Sequence, residues 1–274
     1  YKKTCCKNIE CINKPKYIDS YFQLVHFDDL LHIDKETDLE DTLKDYVNKS
    51  YTPICSFDLC SSNVDALQTI IQGIIEKQSK ADVKIKTPLS YFLGELICNI
   101  SQHSKSSVGY ISSQYLRREK CIDICIGDSG ITVYGSYVST DKYMDEIGDN
   151  EVRALIKANE GYSTKELPDA ENRGYGITST KNMLVDGLKG AFFMLSGGAF
   201  HRHDNKGSDF IKLPESISWA GTIILMRIPI HVDENFDYTK YIQKDGPKLI
   251  EDEYNSANTR RLSVDELKQL LLSL

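Results

Sequence analysis

The sequence predicts an α/β sandwich of the α+β class: a mixed, mostly antiparallel sheet with helices on one face. Three observations carry this. Behind Pro88, the residues Leu89, Phe92, Leu93, Leu96, Ile97 and Ile100 recur at helical spacing, as in a helix with one buried stripe. Ile122, Ile124 and Ile126 alternate with Asp123 and Cys125, the period of a half-buried strand. Between about 88 and 230 the order is helix, strands, loop, helix, strands. Strands that follow one another directly pair antiparallel, and their helices collect on one face.

Residues 1–80 read as a small α/β unit, a sensor or docking domain. It has an extended stretch at 17–25, a helix at 39–47 opened by the capping box Thr37-Asp38-Leu39-Glu40, and a strand at 52–59. A helix with Val64, Leu67, Ile70, Ile71 and Ile74 on one stripe closes it. The main domain, 81–232, begins with the helix behind Pro88 and continues through strands at 108–116 and 121–126. A polar, loop-rich stretch leads to a helix carrying Ile177, Lys181, Leu184 and Leu188, then to strands at 191–196 and 222–230. Residues 233–274 form a polar tail ending in a helix opened by the capping box Ser263-Val264-Asp265-Glu266, with Val264, Leu267, Leu270, Leu271 and Leu274 as its apolar positions. That helix is expected to dock on its own domain, with the grip of a partner as the alternative.

Composition narrows the function classes. Hydrophobic residues make up 41% and charged residues 27% of 274, the balance of a folded globular protein. No apolar run reaches the length of a membrane helix, and Tyr1-Lys2-Lys3-Thr4-Cys5-Cys6 lacks the apolar core of a signal peptide, so a soluble cytoplasmic protein is expected. A net charge of −7 makes nucleic acid a poor candidate partner. The 8 cysteines are scattered and suit a reducing compartment; Cys5, Cys6 and Cys11 have neither a C-x-x-C pair nor a matching downstream His-x-x-x-His pair to complete a zinc site.

Four clusters could carry chemistry. Glu95, Asn99 and His103 lie four residues apart on one helix face, where a carboxylate could act as a base for water and an amide oxygen could bind Mg2+. Gly127-Asp128-Ser129-Gly130 follows the isoleucine strand, so a turn would present the Asp128 carboxylate to an amine donor while Gly130 lets a flat ring approach the backbone. Asn172-Arg173-Gly174-Tyr175-Gly176 precedes a helix whose N-terminus would face a phosphate. Thr222, in Ala220-Gly221-Thr222, offers a hydroxyl at the start of the last strand. His201 and His203 alternate as metal ligands on a strand do, but no third ligand accompanies them, and a polar loop between strands is expected there. Trp219 reads as a packing residue.

Taken in order, these clusters resemble the motifs of the GHKL ATPases, the superfamily of gyrase, the large heat-shock chaperones, histidine kinases and MutL proteins. Glu95-Leu96-Ile97-Cys98-Asn99 with His103 resembles the asparagine box, Asp128-Ser129-Gly130 the first glycine box, and Arg173-Gly174-Tyr175-Gly176 the second. Gly221-Thr222 resembles the late Gly-Thr. The resemblance covers about half the chain and implies a Bergerat ATP-binding fold with ATP and Mg2+ as cofactors. By it, Glu95 would orient the attacking water, Asn99 would hold Mg2+, Asp128 would read the adenine amine with Thr222 in support, and 147–172 would form a lid. Thr132 and Asn172 stand where that pattern often has glycine, which puts lid geometry and phosphate grip in question.

The expected function is therefore a Mg-ATP-dependent ATPase or nucleotide-driven switch, coupled to a protein partner through residues 1–80 or the C-terminal helix; a homodimer is one assembly the sequence allows. The alternatives are a protein kinase of the anti-sigma serine or histidine type and an ATP-binding interaction module that does not hydrolyse. For a histidine kinase, His26 and His32 are the upstream acceptor candidates, yet neither lies in a long helical hairpin.

Overall fold

A computed structural model of the chain describes residue 23 and residues 43–59, 64–79, 82–164, 175–242 and 261–272. The elements are β1 (Cys55–Asp58), α1 (Val64–Ser79), α2 (Lys86–His103), β2 (Val108–Leu116), β3 (Cys121–Asp128), α3 (Val133–Thr140), α4 (Met144–Ile147), α5 (Glu151–Asn159), α6 (Gly176–Asn182), β4 (Ala191–Gly197), β5 (Ala199–Asp204), β6 (Gly207–Lys212), β7 (Trp219–Pro229) and α7 (Val264–Leu272). The stretch at 17–25 apart from residue 23, the stretch at 37–42, and Cys5, Cys6, Cys11, His26 and His32 lie outside the described residues.

Seven strands form one sheet in the order β1-β2-β3-β7-β4-β5-β6. Every neighbouring pair is antiparallel. The α+β class holds, with the sheet antiparallel throughout rather than mixed. After β3 the chain leaves the sheet for four helices and returns at β4, and β7 fills the place between them.

The alternation along β3 decides which face takes the helices. Ile122, Ile124 and Ile126 are each 1% exposed or less. They stand opposite Ile228, Met226 and Ile224 of β7. On this floor rests α2, whose Leu89, Phe92, Leu93, Leu96, Ile97 and Ile100 are all buried, as their spacing requires. Ile71, Ile74 and Ile75 of α1 join the same core, as do Leu43 before it and Phe57 of β1. Residues 43–79 thus share the sheet and core of the main domain. Beyond α6 the helix widens into a π turn over Met183–Gly187, closed by the Leu188 N–H on the Met183 carbonyl at 2.9 Å.

The opposite face is not bare. Phe193, Phe200, Ile211 and Leu213 form a second cluster there with Leu267 of α7, so the C-terminal helix docks on its own sheet, on the side away from the other helices. The chain before it runs along the helix side: the Phe236 and Tyr241 rings stack 5.9 Å apart. They sit against Gly187, where any side chain would strike them.

Two expectations are corrected. The polar stretch after β3 holds three short helices, not a loop. Asn150 caps α5 by accepting from the Val152 and Arg153 N–H groups. Val152, Leu155 and Ile156 are then buried in the main core. The stretch 147–159 is therefore packed structure and not part of a lid, while 165–172 lies outside the described residues. Helices of 8, 4 and 9 residues are too short for a periodic stripe to stand out.

His201 and His203 likewise lie on β5 of a hairpin rather than in a loop. The His201 ring stacks on Phe210, centroids 3.9 Å apart and 4° from parallel. Its Nε2 meets Ser208 Oγ at 3.1 Å, and it is fully buried. Burial, and secondarily the nearby Lys181 and His203, push its pKa well below the ordinary value. A folded-state pKa below the unfolded value means that unfolding takes up a proton, so stability falls as pH drops below about 6.5. His201→Phe, which keeps the stack, is expected to flatten the loss of urea-unfolding free energy between pH 7 and 5; an unchanged slope would mean the buried imidazole is not its source.

Candidate functional site

A cavity opens between the sheet and the helices where α2, β3 and β7 end. It comprises about 780 Å³ of space between the protein atoms, open solvent at its mouth included. Ile126, Ile224 and Met194 supply its sheet side; Leu96, Asn99, Ile100 and His103 come from α2 and Ser136 and Tyr137 from α3. Tyr162, Ser163 and Thr164 close one edge, and Asp128 and Thr222 stand at the sheet end.

The position of Asp128 follows from strand register. Gly127 pairs with Ile223, so the next residue of β3 meets the start of β7. The Gly130 N–H donates to Asp128 Oδ1 at 2.8 Å. The Thr222 N–H donates to the same carboxylate. Trp219 opens β7 and its indole N–H donates to the Asp128 carbonyl at 2.8 Å, a fixed polar role that its reading as packing did not anticipate. Gly221 has φ of +106°, and a side chain there would collide with Asp128. Asp128 is 2% exposed. Burial raises its pKa from 3.8 to about 6, opposed by the two backbone N–H groups.

Gly130 has a reason for being glycine other than ring approach. Its Cβ would fall 1.9 Å from the Ser104 carbonyl, which accepts the Ile131 N–H at the end of α2. Thr132 does not need a glycine's freedom: at φ −72° it caps α3, its hydroxyl accepting from the Gly135 N–H.

On α2, Asn99 and His103 both line the cavity. Asn99 Nδ2 is buried without a hydrogen-bond partner. His103 Nδ1 meets Thr164 Oγ1 at 2.9 Å, and Thr164 meets Ser136 Oγ at 3.0 Å, so three side chains distant in sequence form one polar chain along the wall. Glu95 is not among the lining residues; its carboxylate fills the space that a side chain at Gly176 would need. Tyr175 precedes α6 as its N-cap and Gly176 begins it. Arg173 and Gly174 lie outside the described residues.

Residues that the motifs did not indicate complete the site. Ser196 of β4 donates its hydroxyl to the Gly221 carbonyl at 3.0 Å, accepts the Val133 N–H at 2.8 Å and meets Thr222 Oγ1 at 3.1 Å. Lys157 of α5, fully buried, pairs with Glu146 and lies 4.1 Å from the Tyr162 ring centroid, holding the aromatic edge of the cavity in place. Ser196 gives no sequence signal, because its partners come from β7 and from the turn ahead of α3.

Comparison with known proteins points elsewhere than the motifs did. Residues 233–274 match the family model described as polysaccharide biosynthesis protein C-terminal. No curated protein and no solved structure matches the chain. The matched family is not one of GHKL ATPases. The assignment to that superfamily is therefore overturned, and with it go ATP hydrolysis by Glu95, protein phosphorylation, the nucleotide-driven switch and a signalling role. The position of Glu95 off the cavity lining agrees with that correction. Among the described residues no helix is long and apolar enough to cross a membrane, and no group of three or more His, Cys, Asp or Glu side chains could hold a metal ion.

The buried carboxylate has a measurable stability consequence. Because the Asp128 pKa is raised in the fold, its contribution is fully present below pH 3.8 and is lost as pH rises through about 6. Asp128→Asn removes the buried charge, so the variant should gain on the parent protein between pH 4 and 7, by at most about 3 kcal/mol. Urea unfolding at both pH values checks this; equal differences at the two would mean the carboxylate carries no burial penalty.

Proposed function

We propose that the cavity is a small-molecule site for a flat ring bearing an amino group, an adenine nucleotide being the ligand of choice, and that it acts by binding. The observation that carries this is Asp128, the single carboxylate on the lining among the described residues, buried yet with acceptor capacity beyond its two backbone donors. Around it lie Ile126, Ile224, Met194 and Ile100, apolar surfaces suited to the faces of a ring. The lining contains no Lys or Arg among the described residues. The ring therefore belongs to the described cavity.

Mg2+ fits as an ion carried in with the phosphates. It keeps most of its waters and needs one or two protein oxygens. Asn99, whose amide nitrogen has no partner in the fold, would hold it through Oδ1. The ion would neutralise phosphate charge on a wall that lacks cations. The same reading supports the finer description of the α/β sandwich as a Bergerat-type arrangement, as a shape and not as a family. Polysaccharide biosynthesis, the description of the family that residues 233–274 match, supplies the setting: a nucleotide-binding part of a protein serving that process.

The chain has 1 tryptophan, Trp219, and its indole N–H touches the Asp128 backbone, so its fluorescence reports on the site. Titration with Mg-ATP is expected to change that fluorescence and to give saturable heat, with Asp128→Asn weakening binding at least about tenfold. Binding should also weaken as pH falls through about 6, where the carboxylate takes up a proton and ceases to be a pure acceptor. Absence of saturable binding at pH 7.5 would end the proposal.

A further inference from the structure

Where two hydroxyls meet, the direction of the hydrogen bond is usually open, but here the surroundings fix it. Ser196 has one hydroxyl proton. The Gly221 carbonyl, 3.0 Å from its Oγ, can only accept, so that proton goes there. Were the proton turned to Thr222 instead, two oxygens with lone pairs would face each other at that distance in a buried contact. The Val133 N–H occupies a lone pair of Ser196. The 3.1 Å contact with Thr222 Oγ1 must then be a bond that Thr222 donates. Its proton spent, the Thr222 hydroxyl presents only lone pairs to the cavity it lines.

We infer that Ser196 is a positioning residue that sets ligand specificity: by taking the Thr222 proton it makes the sheet end of the cavity acceptor-only, Asp128 beside Thr222, so that the site admits a ring with an exocyclic amine and rejects one with a carbonyl in its place. This rests on the ring-binding reading above and adds to it which group discriminates and why. An amino group has two N–H donors, one for the Asp128 carboxylate and one for Thr222, directly or through a water. A 6-oxo ring would set its carbonyl oxygen against two acceptors at that end of the cavity. A site built to hydrogen-bond one group leaves its own polar atoms unpaired with the wrong one, which is where large discrimination comes from.

The test compares ATP with inosine triphosphate, which differ at that amino group and at the adjacent N1, an acceptor in adenine and an N–H in the 6-oxo ring, in calorimetric titrations with Mg2+ at pH 7.5. The parent protein should prefer ATP by at least about 100-fold. In Ser196→Ala the Thr222 hydroxyl is released to rotate and donate, and the preference should fall by about tenfold, chiefly through tighter inosine triphosphate binding. Ser196 also caps α3, so Thr222→Val and Thr222→Ser keep the inference falsifiable if that variant does not fold. Valine removes the acceptor and should weaken ATP while tightening inosine triphosphate, whose carbonyl then faces one acceptor fewer; serine keeps the bond to Ser196 and should keep the preference. A merely structural role would weaken both nucleotides alike. Binding of ATP by the parent protein with an unchanged ratio in Ser196→Ala or Thr222→Val would overturn the inference alone. Binding of neither nucleotide by the parent protein would overturn the reading of the cavity and the inference with it.

Discussion

The pairing of β3 with β7 at the centre of the sheet sets Ile122, Ile124 and Ile126 against Ile228, Met226 and Ile224, and this apolar floor is what the helices settle on. A shift of one residue would turn every one of these side chains to the other face, so the register is held by the burial of the whole stripe. The same register delivers Asp128, the last residue of β3, against the first residues of β7. There a carboxylate is buried among N–H donors that come from its own turn and from the neighbouring strand. The fold is stable enough to hold that charge because the floor below it is broad.

How far the sequence could be read follows from which contacts are local. The apolar stripe of α2, the isoleucine alternation of β3 and the positions of β2, β4 and β7 are local patterns, and they stand where periodicity places them. The turn after β3 and its acidic residue were legible for the same reason. What could not be read depends on partners far away in the chain. The run from Phe200 to Asp204 looks like a polar loop because histidine and arginine dominate it; stacking on Phe210 in the next strand is what makes His201 a core residue. The helices after β3 are short and capped, so their evidence is three separate weak signals. Gly130 stands in a familiar pattern, yet its tightest neighbour is a carbonyl of α2 and not a ligand.

The motif set carried a second, larger step that did not hold. Spacing of Glu95, Asn99 and His103 states that three side chains share a helix face, and they do; it cannot state that all three face one cavity. Asn99 and His103 reach the lining, and Glu95 turns to the start of α6. A face is about a third of a helix, wide enough for a cavity and a packing contact to divide it.

The described parts of the segment that a family model matches, 233–242 and 261–272, are woven into the rest of the molecule. Phe236 and Tyr241 press on Gly187 at the helix side of the sheet, while Leu267 closes the small core on the other side. Asp82, ahead of α2, donates its N–H to the Ile230 carbonyl, and Lys84 donates to the Glu234 carbonyl at 2.7 Å, so the segment is also fastened where it leaves β7. A tail tied to both layers cannot work as a separate hook without disturbing them. Its role and the role of the cavity are therefore those of one folded body: whatever the C-terminal segment does, it does attached to the sheet that holds Asp128.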